Sequence, residues 1–130
     1  MVYRGLGSIV WKATNRPTKA LHKIVDHLAA YTSLRQGGYE VWLVEGYLVV
    51  FAVGTPWYSD QPVLSELLIV RVRPGGTLTG VAQFLKDQAR SAGAVIVAVG
   101  TAFAQSDRAL TRLYQSEGFQ PEGTTLTWEP

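Results

Sequence analysis

The chain has 130 residues, 47% of them hydrophobic, 11% aromatic and 17% charged, with a formal net charge of +2. That length holds one domain with a real core, and that apolar content excludes disorder. With no cysteine and two histidines, the chain cannot build disulfides, thiolate metal sites or a cysteine nucleophile, and no metal is expected.

Residues 8–13 form an expected first strand. Asn15 or Thr18 can cap the helix that follows, with Pro17 in its first turn. From Lys19 to about Tyr31 the residues Leu21, Ile24, Val25, Leu28 and Ala29 recur at helical spacing, which predicts an amphipathic helix laid on a sheet. Gly37-Gly38 ends it. Tyr39–Glu45 and Tyr47–Gly54 are strand-like runs around Glu45-Gly46, an antiparallel hairpin. Residues 55–62 form a polar loop that carries aromatics. Val63–Val72 is a third strand whose near-continuous apolar run implies burial on both faces. A helix over 78–91, a strand over 94–100, a helix over 106–117 and a last β segment near 123–128 complete the chain. The four tryptophans and six tyrosines are expected mainly in the core, with some lining a cleft. The order is β-α-β-β-β-α-β-α-β, an α/β (α+β) sheet that starts antiparallel and turns parallel at its later crossover.

Chemistry concentrates between Leu64 and Phe119. The third strand leads through Arg73-Pro74-Gly75-Gly76 into a helix starting near Thr77. A strand, a Gly-rich turn and a helix N-terminus together make an anion site, because free N–H groups and the positive end of the helix dipole converge there. Tyr114 on the next helix can supply a proton nearby. Together these features point to a phosphate-bearing cofactor and a transfer reaction. A plain strand-to-helix connection would also account for the turn, and a core aromatic for Tyr114.

The element order and turns resemble the GNAT (Gcn5-related N-acetyltransferase) superfamily over nearly the whole chain. That family's signature places Val and Pro at the strand end, then Gln/Arg-x-x-Gly-x-Gly/Ala. Anchored on Val72 and Pro74, this sequence gives Thr77-Leu78-Thr79-Gly80-Val81-Ala82, with Gly80 and Ala82 in place and Thr77 where Gln or Arg is usual. A second family segment, Asn-x-x-Ala-x-x-Leu-Tyr followed by Gly-Phe, falls on Asp107, Leu110, Leu113, Tyr114, Gly118 and Phe119. Here Asp107 and Leu110 depart from the pattern.

The resemblance implies acetyl-CoA as cosubstrate. It would lie in a V-shaped split between strands 63–72 and 94–100, held by Val70, Val72, Thr77, Leu78, Thr79, Gly80, Val81, Ala82, Asp107 and Tyr114. The N–H groups of Thr79 to Ala82 would take its pyrophosphate, and Gly80 would let the backbone approach closely. A strand N–H within Ile69–Val72 would polarise the thioester carbonyl. Tyr114 would protonate the departing thiolate. Glu66, six residues before Val72, sits where histone-modifying members carry their base. An ordinary solvated or ion-paired strand residue is the other reading of Glu66.

The implied activity is N-acetyl transfer to a primary amine of a small molecule or protein by direct attack. The acceptor would enter near Trp57, Tyr58 and Asp60 and the first helix, which carries His22 and His27. These histidines also read as solvated helix positions, and the loop aromatics read equally as a buried lid or an interface patch. Arg71 and Arg73 are either phosphate contacts or exposed strand-end charges. The alternative is a GNAT-fold protein that has lost catalysis and binds a partner, as small divergent members encoded by phages do; Thr77 and Asp107 lean that way. A homodimer is common in the fold. The twelve Lys and Arg form no basic stripe, so nucleic acid is not expected. No apolar run reaches spanning length and no signal-peptide layout is present, so a cytoplasmic protein without membrane contact is expected.

Overall fold

The structure, a computed structural model, describes residues 26–100, 107–123 and 126–130. Its elements run α1 (His27–Gln36), β1 (Glu40–Val44), β2 (Tyr47–Gly54), β3 (Val63–Arg71), α2 (Leu78–Ala92), β4 (Ile96–Ala98) and α3 (Asp107–Ser116). The four strands make one sheet in the order β1-β2-β3-β4. β1 and β2, and β2 and β3, pair antiparallel, and β3 pairs with β4 in parallel. This is the mixed sheet expected from the sequence. The expected first strand, with Asn15, Thr18 and His22, lies outside the described residues. No strand forms among the described residues at the C-terminal end, where a last β segment is expected.

The first described helix differs from its expectation. Asp26 caps it, its carboxylate accepting the Ala29 N–H at 3.0 Å, and it continues past Tyr31 to Gln36. Leu28, expected on the packed face, is 74% exposed. The packed residues are Ala30, Tyr31 and Leu34, which cover Leu48 of β2. The Asp26 cap resets the start of the helix, and with it the face that meets the sheet.

The hairpin turn is as expected. Glu45 and Gly46 take φ values of 54° and 77°, the pair of positive values that a two-residue type I′ turn demands. α2 is closed at both ends by its own sequence. Thr77 caps the start, and Gly93 at φ 72° ends it by donating to the Ala89 and Arg90 carbonyls, a left-handed C-terminal cap.

β2 is buried on both faces between helices, which explains its near-continuous apolar run, while β1, β3 and β4 keep exposed positions. On one face Val49, Phe51 and Leu64 pack with Val81, Leu85 and Ala89 of α2. On the other, Leu48, Val50 and Leu68 pack with Leu34 of α1. The aromatic expectation fails for the described tryptophans. Trp42, Trp57 and Trp128 are all exposed, and Trp57 is 95% accessible. Loop and C-terminal positions hold Trp57 and Trp128 away from both packed faces, whereas Trp42 meets the Phe84 ring of α2 at 5.4 Å.

Leu64 and Leu68 have the same parity in β3, yet they pack on opposite faces. The reason is a β-bulge. Val50 pairs with Leu68 while the adjacent Phe51 pairs with Glu66, so Leu67 is an extra residue. Bulges re-aim side chains and end pairing. This one turns Glu66 to the face of Leu64, beneath the second half of the chain.

Candidate active site

The β3–β4 ladder joins Val63 to Ile96, Leu64 to Val97 and Ser65 to Ala98, and goes no further. Past Ser65 the β4 side of β3 has no strand partner among the described residues, although β3 continues to Arg71. The strands thus part at the bulge, and backbone polar groups of β3 open onto the gap between them.

Glu66 stands where the strands part. Its side chain is partly buried, and Gly100 on the far side of the split donates its N–H to Oε2 at 3.1 Å. Burial raises the Glu66 carboxyl from 4.5 to about 7, against the Gly100 hydrogen bond, which lowers it. An ionised carboxylate loses more hydration than one N–H returns.

Tyr114 is brought to the same place. Its side chain is 4% exposed, and its hydroxyl is buried without a hydrogen-bond partner among the described residues. Burial raises its pKa far above the ordinary phenol value, and the negative charge of Glu66 raises it further. The charge of Glu66 is thus felt at Tyr114, although 48 positions separate their numbers, 66 and 114. A buried phenol without a partner is an expensive arrangement.

The Leu-Tyr and Gly-Phe elements of the sequence hold that phenol. α3 ends just after Tyr114, and Gly118 at φ 92° turns the chain back. Phe119 donates its N–H to the Tyr114 carbonyl at 3.0 Å, and its ring lies 5.1 Å from the Tyr114 ring. Lys86 of α2 donates to the Glu117 carbonyl at 2.5 Å and lies over the Phe119 ring. The glycine is needed for the positive φ.

Roughly 16 Å along β3 from Glu66, the chain reaches the expected anion turn. Thr77 is a helix cap, which is a physical reason for threonine in place of Gln or Arg. Its hydroxyl accepts the Gly80 N–H at 3.0 Å, and its carbonyl accepts the Val81 N–H at 3.3 Å. The expectation that N–H groups from Thr79 to Ala82 are free is thus corrected, because the cap takes Gly80 and the helix takes Val81. The Leu78 and Thr79 N–H groups lack partners among the described residues and are the donors left at this end.

The side chains of several expected cofactor positions pack into the core. Val81 and Ala82 are buried in the interior, Val81 against the sheet. Val70 packs with Leu48, Val50 and Leu68, and Val72 with Leu48, on the α1 face. The Val72 N–H donates to the Gly46 carbonyl at 2.9 Å, so it is not available to polarise a thioester. Asp107 opens α3. His27 opens α1.

Two residues shape this end: Arg71, which the sequence offers as a phosphate contact or an exposed strand-end charge, and Glu45, which it places only in the hairpin turn. Arg71 lies 4.1 Å over the Tyr47 ring and donates to the Arg73 and Gly75 carbonyls, both at 2.7 Å. It braces the turn. The Glu45 carboxylate lies against Gly76 and Gly80. A Cβ on Gly80 would fall 2.7 Å from both its Cδ and its Cγ, and one on Gly76 would strike the Glu45 carbonyl and Oε2. Nothing in the sequence signals either contact, because both depend on the hairpin turn meeting the 73–76 turn in space.

Trp57 and Tyr58 stack edge to face at 5.4 Å in the 55–62 loop, and both are exposed, so neither forms a buried lid. Among the described residues no cluster of His, Asp or Glu could hold a metal, and no helix is long and apolar enough to cross a membrane.

Neither a family model nor a curated protein sequence matches the chain. Solved structures do. A probable acetyltransferase superposes with a TM-score of 0.66 at 14% identity, covering 100% of this chain and 96% of the other. An aminoglycoside acetyltransferase from an uncultured soil metagenomic sample gives 0.60 at 14% identity, over 96% and 88%. A second such enzyme, solved with sisomicin, gives 0.59 at 14% identity, over 98% and 87%. With the mixed sheet, its split and the helix order already described, this likeness establishes that the chain has the GNAT-type acetyltransferase fold.

Proposed function

We propose that this protein is an acetyl-CoA-dependent N-acetyltransferase acting on a primary amine. The observation that carries the reading is the buried Tyr114 hydroxyl, left without a partner beside Glu66 where β3 and β4 separate. The residues present suit such a cosubstrate. Its pyrophosphate would meet the Leu78 and Thr79 N–H groups and the positive end of α2, and its acyl end would meet the open backbone of β3.

Acetyl-CoA supplies an activated thioester. Glu66, with a carboxyl near pH 7, takes the proton of the attacking ammonium or amine, directly or through water, a pKa suited to a general base at neutral pH. A C–N bond forms, the C–S bond breaks, and the thiolate receives the proton of Tyr114. The two roles assist one another. The charge on Glu66 makes the phenol a weaker acid, and the proton that Glu66 accepts removes this charge as the leaving group needs its own proton. Val70, Val72, Val81 and Ala82 would act through backbone position rather than side-chain contact, and Asp107 remains a candidate at the start of α3.

The acceptor would approach by the 55–62 loop. An amine-rich small molecule of the aminoglycoside kind is the first class to test, by analogy with the structural neighbours; a protein amine is the second. The exposed Trp57–Tyr58 pair favours one competing reading, a partner-binding protein on the same fold that no longer catalyses.

Thermal unfolding separates the two. Acetyl-CoA at about 100 times its dissociation constant stabilises a native-state binder by about 2.7 kcal/mol, a rise of several degrees. No rise would sink the enzyme reading. Tyr114→Phe is expected to keep that rise while slowing acetyl transfer about 100-fold or more. Unchanged turnover would reject the acid role.

A further inference from the structure

We infer that Glu45 sets how tightly the N-terminus of α2 takes a phosphate, by holding the chain's own carboxylate against the two glycines that would admit one. The inference rests on the reading above, in which this turn receives a pyrophosphate.

The carboxylate is placed there by the fold. Oε1, Cδ and Cγ of Glu45 cover the open side of Gly80, and Oε2 covers Gly76. α2 has no acidic residue in its own first turn, so the negative charge that a helix start attracts comes from the neighbouring hairpin. The backbone beneath Glu45 is pinned. The Gly46 carbonyl accepts the Val72 and Arg73 N–H groups at 2.9 and 3.0 Å, and a Cβ on Gly46 would fall 2.6 Å from the Arg73 carbonyl oxygen.

Hairpin chemistry does not select glutamate at this position. Its φ of 54° belongs to turn positions where Asn, Asp and Gly are favoured. The side chain is exposed and makes no hydrogen bond or ion pair among the described residues, so it can rotate away while the turn stays fixed. An incoming phosphate must displace it, because the carboxylate covers Gly76 and Gly80 and two like charges repel there. Glu45 thus stands in for the anion when none is bound, and lowers the affinity for the one that arrives.

The test compares wild type with Glu45→Gln by calorimetric titration of acetyl-CoA and, separately, of inorganic pyrophosphate, which probes the turn alone. Glu45→Gln is expected to bind both about three- to tenfold more tightly, while unliganded it melts about 1–4 °C lower for want of its charge at the helix start. The opposite signs distinguish this role from a structural one. If both proteins bind acetyl-CoA equally well, the inference fails and the acetyltransferase reading stands. If neither binds acetyl-CoA but the variant takes pyrophosphate more tightly than wild type, that reading fails and the role of Glu45 stands. If neither probe binds either protein, both fail.

Discussion

Glu66 and Tyr114 show how burial raises the proton affinity of ordinary side chains. The Glu66 carboxyl sits at about 7 in the fold against 4.5 when solvated. Below pH 4.5 both folded and unfolded chains hold its proton, so the group adds no pH dependence. As pH rises through the interval to 7, the unfolded chain releases a proton that the fold retains, and stability falls. Above 7 that cost is constant. Glu66→Gln keeps an acceptor for the Gly100 N–H and removes the charge. Its stability relative to wild type is expected to grow from pH 4.5 to 7 and then level, as read by urea denaturation across that range. A pH-independent difference would show that the carboxyl is not buried as described. The same substitution is expected to abolish the limb of the pH–rate profile near 7. Both residue types were legible as candidates in the sequence. Their proximity was not, because it depends on a bulge at Leu67 that no residue there announces.

At the scale of elements, the turn after β3 shows two kinds of control. Thr77 works locally, through a cap on the Gly80 N–H. Thr77→Ala is expected to cost about 1 kcal/mol, seen as a lower urea midpoint with an unchanged slope. A change in slope would mean that the folded or unfolded state itself had altered. Arg71 works at longer range, stacked on Tyr47 and bonded to carbonyls of residues 73 and 75. These contacts hold the shape of the loop that leads into α2. The hairpin, the Gly-Phe turn and α2 match the sequence expectation because each is fixed by positive-φ glycines, caps and spacing within a few residues. α1 departs from it because Asp26 offered a stronger start than the apolar periodicity alone revealed.

Over the whole molecule, a sheet covered on both sides leaves the split between β3 and β4 as the place where its backbone is open. Leu85 ties that arrangement together, fully buried against Val49, Phe51 and Leu64. Leu85→Ala is expected to cost about 2–5 kcal/mol through lost burial and the cavity left behind. For a domain of ordinary stability, about 5–15 kcal/mol, that is a large share. Chemical denaturation checks it; a loss well below 2 kcal/mol would mean that α2 collapses into the gap.

The sequence by itself determined the order of elements from the first hairpin to α3, the mixed sheet, the hairpin turn and the candidate residues Glu66, Gly80 and Tyr114. Each follows from periodicity, turn chemistry or a motif read over a short span. Tertiary structure alone decided which of these meet. It brought the charge of Glu66 within reach of Tyr114, packed Val70, Val72, Val81 and Ala82 into the interior, and laid Glu45 over Gly76 and Gly80. Those outcomes rest on register, on one extra residue in β3 and on two turns meeting through space. A linear pattern does not encode such contacts, because their partners lie tens of residues apart.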